Sequence, residues 1–139
     1  MPTPRDVSRL NAKLPPFMAM LKGRVESYDH DLKEGTLSFH VSEQYCHSGD
    51  VVQGGFITTM LDAAMSHTVF ACDDTVINLS SLEISTRYLE VTRAGPLVAK
   101  GRIVRLSHKT AFLDGQLFNT EGRLLASTHS VAKVMRKAS

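Results

Sequence analysis

The sequence predicts an α+β protein in which one long central helix is wrapped by a curled antiparallel sheet of five to six strands, behind a short helical N-terminal segment. Three observations predict it. Residues 56–70 form a run that is apolar around most of a helical circumference, the mark of a buried helix. The segments on either side of that run alternate apolar and polar residues with the period of a strand. One helix cannot cover both faces of so large a sheet, so the sheet must curl around it, leaving edges and an outer face that call for a second copy.

Taken in order, residues 5–21 read as helical, with Asp6 or Thr3 as cap and Val7, Leu10, Phe17, Met18 and Leu21 as an apolar stripe. Pro15-Pro16 splits this segment in two, and Gly23 ends it. Residues 24–30 and 36–41 are strands joined by a polar turn ending at Gly35. Leu37, Phe39 and Val41 alternate with Ser38 and His40, which puts His40 in solvent. Residues 42–52 are a loop, and the central helix then runs to about Cys72. Residues 76–90 form a long strand whose alternation slips by one residue at Ser80-Ser81: Ile77 and Leu79 lie before the slip, Leu82, Ile84, Thr86 and Tyr88 after it. Such a slip predicts a β-bulge. A turn at Ala94-Gly95-Pro96 leads to a strand over 97–106, and Ser107-His108-Lys109 turns the chain. Residues 110–119 and 123–135 close as a hairpin around Thr120-Glu121-Gly122, leaving 136–139 as a frayed tail.

Composition narrows the function. The 139 residues suit one domain, with a helical segment over 1–21 and a core over 22–135. Sixteen basic against fourteen acidic residues leave +2, too balanced for nucleic acid as the main partner. The absence of Trp also speaks against a base-stacking platform. No apolar run reaches the roughly 18 residues of a membrane span, and the first residues lack the apolar core of a signal peptide. Cys46 and Cys72 are too few and too isolated for a disulfide framework or a zinc site, and read as small buried hydrophobes in a cytoplasmic protein.

The polar residues of the central helix do not scatter. Gly55, Thr58, Thr59, Asp62 and Ser66 fall in one sector about a quarter-turn wide at ~100° per residue. Asp62 is the one charge between Asp50 and Asp73. An unpaired carboxylate on a core helix is costly, so Asp62 must meet a cation from elsewhere, open onto a wet cleft, or do chemistry. His67 points away from that sector and reads as a core or interface histidine; Ser66 reads as a bonder of the helix backbone.

At this point the chain resembles the hotdog-fold acyl-CoA thioesterases, in the branch of the phenylacetate-pathway and 4-hydroxybenzoyl-CoA enzymes. The residues that carry the resemblance are Gly54-Gly55 ahead of Asp62, Tyr88-Leu89 at the end of the next strand, the Gly95 turn, and Glu121-Gly122 followed by Leu124-Leu125-Ala126. It implies a homodimer with active sites at its interface, assembled as a dimer of dimers. It implies Asp62 as nucleophile or general base, and the Gly54 N–H, supported by Gly55, as oxyanion donor from the opposite subunit. His47 stands where the family often has Asn or Gln, and Ser81 fits the hydroxyl that orients water or the acid. Gln53 replaces a histidine, and Glu90 stands where an arginine is usual. His47 is open between a solvated loop residue and a site residue, and Ser81 between strand filler and a site residue. Gln53 reads as a substrate-site wall or an interface residue. Coenzyme A brings phosphates, for which Arg105, His108 and Lys109 are the candidates.

The residues support that chemistry independently. A glycine pair at a helix start presents unobstructed backbone donors on the positive end of the helix dipole. One such donor is worth about 3 kcal/mol of barrier in an acyl transfer. A carboxylate two turns down the same face is expected to reach the carbon side of the same group. No phosphate loop, dinucleotide fingerprint, metal-ligand spacing or Ser-His-Asp order is present. The expectation is hydrolysis of an acyl- or aryl-CoA to acid and coenzyme A without metal or bound cofactor. A non-catalytic acyl-CoA-binding hotdog protein is the alternative, and a hotdog dehydratase, whose hydration motif is absent, the second.

Overall fold

A computed structural model describes residues 4–138. The chain runs through α1 (Val7–Asn11), α2 (Pro16–Met20), β1 (Arg24–Asp29), β2 (Glu34–Val41), a 3-10 turn (Glu43–Tyr45), β3 (Cys46–Ser48), β4 (Val51–Val52), α3 (Gly54–Cys72), β5 (Val76–Tyr88), β6 (Gly95–Leu106), β7 (Thr110–Phe118) and β8 (Leu124–Arg136). Six strands form one antiparallel sheet in the order β1-β2-β6-β7-β8-β5, with β3 and β4 as a separate short ladder.

α3 carries the core. Met60, Leu61, Ala64, Met65 and Val69 are fully buried. The sheet answers with Leu37, Phe39 and Val41 from β2, Leu97 and Ala99 from β6, and Leu113 and Leu117 from β7. β2 alternates buried and open positions along its length, and His40 is exposed as expected. The closest approach of helix to sheet is at the cross-strand pair Gly35–Gly101. A Cβ on Gly101 would collide with the Ala64 carbonyl, so only glycine lets the helix backbone lie on β6. Thr68 fits over this pair, its Oγ1 donating to Ala64 O at 2.7 Å and lying 3.2 Å from Gly101 O.

The N-terminal segment closes the far end of α3. Asp6 caps α1 through its side chain at the Ser8 N–H; the other cap candidate, Thr3, lies outside the described residues. Arg5 donates to the carbonyls of Phe70, Asp73, Asp74 and Val76 at 2.6–3.1 Å, satisfying groups that a helix end leaves unpaired.

Several boundaries differ from the sequence reading. The loop over 42–52 holds the 3-10 turn and the β3–β4 ladder. β2 begins at Glu34, because Gly35 pairs with Gly101 and is not a turn residue. β6 begins at Gly95, whose φ of 118° suits glycine alone. The tail is not frayed at Arg136: its guanidinium bonds Asp73, Thr75, His108 O and Ser107 O, and Lys137 N–H reaches Thr75 O. The bulge in β5 falls between Ser81 and Glu83, so Leu82 is the residue out of register, and it is exposed rather than inward. A second irregularity lies between Val76 and Asn78.

β5 is an outer strand of the sheet and is thirteen residues long. Ile77, Leu82 and Tyr88 are each more than half exposed along it, and Leu89 and Val91 continue the apolar surface.

Candidate active site

The start of α3 is held by backbone bonds from three sides. Gln53 N–H donates to Tyr45 O at 3.0 Å, Val52 N–H donates to Thr92 O at 2.9 Å, and Gln53 O accepts from Phe56 and Ile57. The amides of Gly54 and Gly55 then have no partner among the described residues, as the first turn of a helix dictates. The two glycines differ in surroundings. A Cβ on Gly54 would meet the Tyr88 ring at 3.2–3.4 Å, whereas one on Gly55 would meet nothing within 4 Å. Packing therefore does not explain Gly55.

Two turns on, Asp62 lies half-buried in the sector the sequence marked out. Gly55 is exposed and Thr58, Thr59, Asp62 and Ser66 are half-buried, while Met60, Leu61, Ala63, Ala64 and Met65 are buried. Ser81 Oγ donates to Asp62 Oδ1 at 3.0 Å. No cation stands within 4 Å of the carboxylate among the described residues. Burial pushes the Asp62 carboxyl above the usual range; the Ser81 bond and the nearby His67 only partly oppose this. Such a group is a better base than an exposed aspartate and is costly to hold ionised. Ser81 is brought to Asp62 because the bulge at Leu82 lets residues on both sides of it face inward: Ser81 before, Thr86 and Tyr88 after.

His47 lies across the mouth of the Gly54 end. It is exposed on β3, its Nδ1 is 2.8 Å from Ser48 Oγ, and it lines a cleft of about 460 Å3 with Gly54, Ile57, Tyr88, Glu90 and Thr92. Gln53 is exposed at the cap position and makes no side-chain capping bond. Arg105, His108 and Lys109 are exposed at the β6–β7 turn. Ser81 pairs with Ala132 and Ala132 with Ala111, so two strand spacings and two residues put that turn about 12 Å from Ser81. Glu90 lies 3.4 Å from Arg123 rather than facing a phosphate route alone.

One expectation fails on geometry. Gly54 and Asp62 are eight helical residues apart, about 12 Å along the axis. A donor and an acid at that separation cannot touch one carbonyl group, so within one chain the two halves of the site are not brought together.

The sequence reading missed a chain of hydroxyls. Tyr88 Oη donates to Gly54 O at 3.0 Å and lies 2.8 Å from Thr58 Oγ1; Thr58 lies 3.0 Å from Thr86, Thr86 3.3 Å from Thr128, and Thr128 donates to Ser85 O at 2.8 Å. The signal was available: Thr58 lies in the polar sector of α3, and Thr86 and Tyr88 share the inward phase of β5 beyond the bulge.

Comparison with known proteins agrees with this fold. The family profile of the Thioesterase superfamily matches residues 49–126, from the β3–β4 turn through the start of β8. An uncharacterized protein of Schizosaccharomyces pombe is 31% identical over 103 residues, which cover 74% of this chain and 55% of that protein; the chain thus spans about half the length of that relative. The Escherichia coli PaaI protein from the phenylacetic acid degradation operon superposes with a TM-score of 0.80 at 14% identity, covering 93% of this chain and 91% of that one. A Streptococcus mutans protein solved with acetyl-CoA bound superposes with a TM-score of 0.71 at 20% identity, covering 83% and 90%. These likenesses show the hotdog fold: one long helix in a six-stranded antiparallel sheet. No helix among the described residues is long and apolar enough to cross a membrane. With more than half its length matched by the family profile, and with the fold that profile describes, the chain belongs to the Thioesterase superfamily.

Proposed function

We propose that the protein hydrolyses an acyl- or aryl-CoA thioester to the free acid and coenzyme A, in sites shared between two copies of the chain. The observation that carries this is Asp62: a half-buried carboxylate with a raised pKa, oriented by Ser81, facing no cation, beside an exposed edge strand. Antiparallel pairing of β5 with β5 of a second copy, about a two-fold axis near the middle of the strand, carries Asp62 of one copy toward the helix start of the other. It also covers the exposed apolar edge. Asp62 then attacks the thioester carbon or takes a proton from an attacking water, and the Gly54 N–H of the facing copy, supported by Gly55, holds the developing oxyanion. His47 lines the same mouth. Arg105, His108 and Lys109, about 12 Å from Ser81, are placed for the phosphates of coenzyme A. Metal and bound cofactor have no part in this reading.

The test is a panel of CoA esters followed by a thiol reagent, with Asp62→Asn as the dead reference. Loss of turnover in the folded variant supports the proposal; binding of CoA esters without turnover by the unmodified protein refutes it in favour of a ligand-binding module. The shared site has its own test. Asp62→Asn and Gly54→Pro chains are each inactive as homodimers. Co-expressed, they recover about a quarter of full activity if random pairing rebuilds one intact site in each mixed dimer. No recovery refutes the two-copy site.

A further inference from the structure

α3 turns a half-buried stripe toward the open β5 edge, in which Asp62, Ser66 and Phe70 follow one another at four-residue intervals. At Phe70 the stripe enters a cleft of about 450 Å3 between α1, the end of α3 and the start of β5. Leu10, Phe70 and Ile77 give the cleft apolar walls, and His67 also lines it. His67 is 6% exposed, and its Nδ1 lies 2.8 Å from Ala63 O. A carbonyl only accepts, so Nδ1 carries the proton, and Nε2 is left without a partner among the described residues. Nε2 is not among the buried polar atoms left without a partner, so it opens on the cleft and can pair with what occupies it.

The charges around the cleft are of one sign. Arg5, Arg9, Lys13 and Lys137 line it, and no acidic side chain does. Arg5 is committed to the carbonyls at the end of α3. Arg9, Lys13 and Lys137 make no ion pair within 4 Å among the described residues. Phe70, on the cleft wall, lies about 12 Å from Asp62 along the helix. That distance suits the far end of an acyl group whose carbonyl sits at Asp62, and is too short for a nucleotide beyond a whole pantetheine arm.

Resting on the thioesterase reading above, we propose that this cleft receives the acyl group of the substrate, and that its cationic rim selects acyl groups ending in a carboxylate, the half-thioesters of dicarboxylic acids. The methylene chain lies along Ser66 and Phe70. The terminal carboxylate meets Arg9, Lys13 and Lys137, and its charge beside His67 favours a proton on Nε2, which then donates to it.

Dodecanedioyl-CoA and dodecanoyl-CoA, equal in chain length and long enough to span that distance, separate the carboxylate from the chain. The expected result is a higher kcat/KM for dodecanedioyl-CoA, and a fall of about tenfold in the dodecanedioyl-to-dodecanoyl ratio in Lys13→Glu/Lys137→Glu, two exposed positions that leave the fold alone. Ala12 is exposed on the cleft wall; Ala12→Trp should abolish hydrolysis of the longer esters and leave acetyl-CoA unchanged. An unchanged ratio overturns the proposal. So does an equal rise in KM for every ester, acetyl-CoA included, which would assign the cations to the nucleotide. Calorimetry with dodecanedioate and dodecanoate on the unmodified chain reads the cleft without catalysis. Dodecanedioate binding that the double variant loses sustains the cleft even if no ester is turned over, and equal binding of both acids refutes it.

Discussion

Replacing Gly54 by proline removes one hydrogen and almost nothing else. Gly54 is the first helical residue of α3, the position where proline is favoured because that N–H has no partner within the helix. The preceding residue, Gln53, has φ −61° and ψ 135°, an extended conformation that the residue before proline prefers. Restricting the unfolded chain stabilises the native state by about 0.4–1 kcal/mol. Against this, the new Cβ lies 3.2 Å from the Tyr88 ring, and Tyr88, 53% exposed, is free to give by the few tenths of an ångström needed. Stability should therefore change little. Catalysis should not escape: losing one oxyanion donor costs about 2.7–4 kcal/mol, a fall of about 10²–10³ in kcat. Gly54→Ala is the control, since alanine adds the same Cβ and keeps the N–H. The assay is initial-rate hydrolysis of a CoA ester with a thiol reagent, beside thermal unfolding of both variants. A folded Gly54→Pro enzyme within a few-fold of the unmodified kcat refutes the assignment of this amide, and so does a Gly54→Ala loss as large as that of proline.

Four further outcomes follow from the structure. The raised Asp62 pKa sets the acid limb of kcat/KM above the ordinary aspartate value of about 3.9, which a pH–rate profile measures. The sign for stability is the reverse: between the unfolded and the raised folded pKa the native state holds the extra proton, so ionising Asp62 weakens the fold as pH rises. Asp62→Asn should thus match or exceed the unmodified protein in denaturant stability at pH 7, an advantage that fades as pH falls through the Asp62 pKa. Asp73 behaves oppositely. Burial pushes it up, but its bonds from Arg136 and Thr75 outweigh this and hold it below the usual range, so its stabilisation is present above the unfolded pKa and is lost as pH falls through the folded one. Arg136→Ala strands that carboxylate, 3% exposed, and should cost about 3 kcal/mol in urea unfolding at pH 7, shrinking in acid. Tyr88→Phe deletes two neutral hydrogen bonds, to Gly54 O and with Thr58 Oγ1, and should lower kcat at most about tenfold, far less than Gly54→Pro; an equal loss would make the phenol a direct participant.

How far the molecule could be read from its residues follows from which interactions are local. Helical periodicity located α3 and its polar sector, because a buried helix writes its surroundings onto its own sequence: the half-buried positions Thr58, Thr59, Asp62 and Ser66 are those the spacing grouped. The slip in the alternation of β5 located the bulge to within two residues, since a strand's period of two registers a single extra residue. Leu82 was grouped with Ile84, Thr86 and Tyr88 because pattern alone does not say which residue at a slip is the unpaired one. Gly35, Gly95 and Arg136 were misread for a shared reason. A glycine at a turn and a glycine facing Gly101 look alike in sequence, and a terminal arginine looks free until Asp73, 63 positions away, is folded against it. The Tyr88–Thr58–Thr86–Thr128 chain joins four residues on three elements, and no spacing rule links them.

The same distinction explains why the site is legible in parts and illegible as a whole. Each half is local: two free amides at a helix start, and one acid a little over two turns on, oriented by one serine. In the proposed two-copy site, what joins the halves is not local, because a rigid helix keeps Gly54 and Asp62 about 12 Å apart however the rest folds. A longer side chain at 62 would not close that gap, and a kink in α3 would uncover Met60, Leu61 and Ala64. Placing a second helix antiparallel across an edge strand closes it twice over, once at each end of a two-fold, at no cost to either core. In the proposed two-copy site, the exposed apolar length of β5 is the surface from which both sites are assembled. A strictly monomeric protein that still turned over CoA esters through Asp62 would require another donor within reach of that carboxylate. The hydroxyl of Thr59, one turn before Asp62 and committed to Gly55 O at 2.9 Å, is not free to serve.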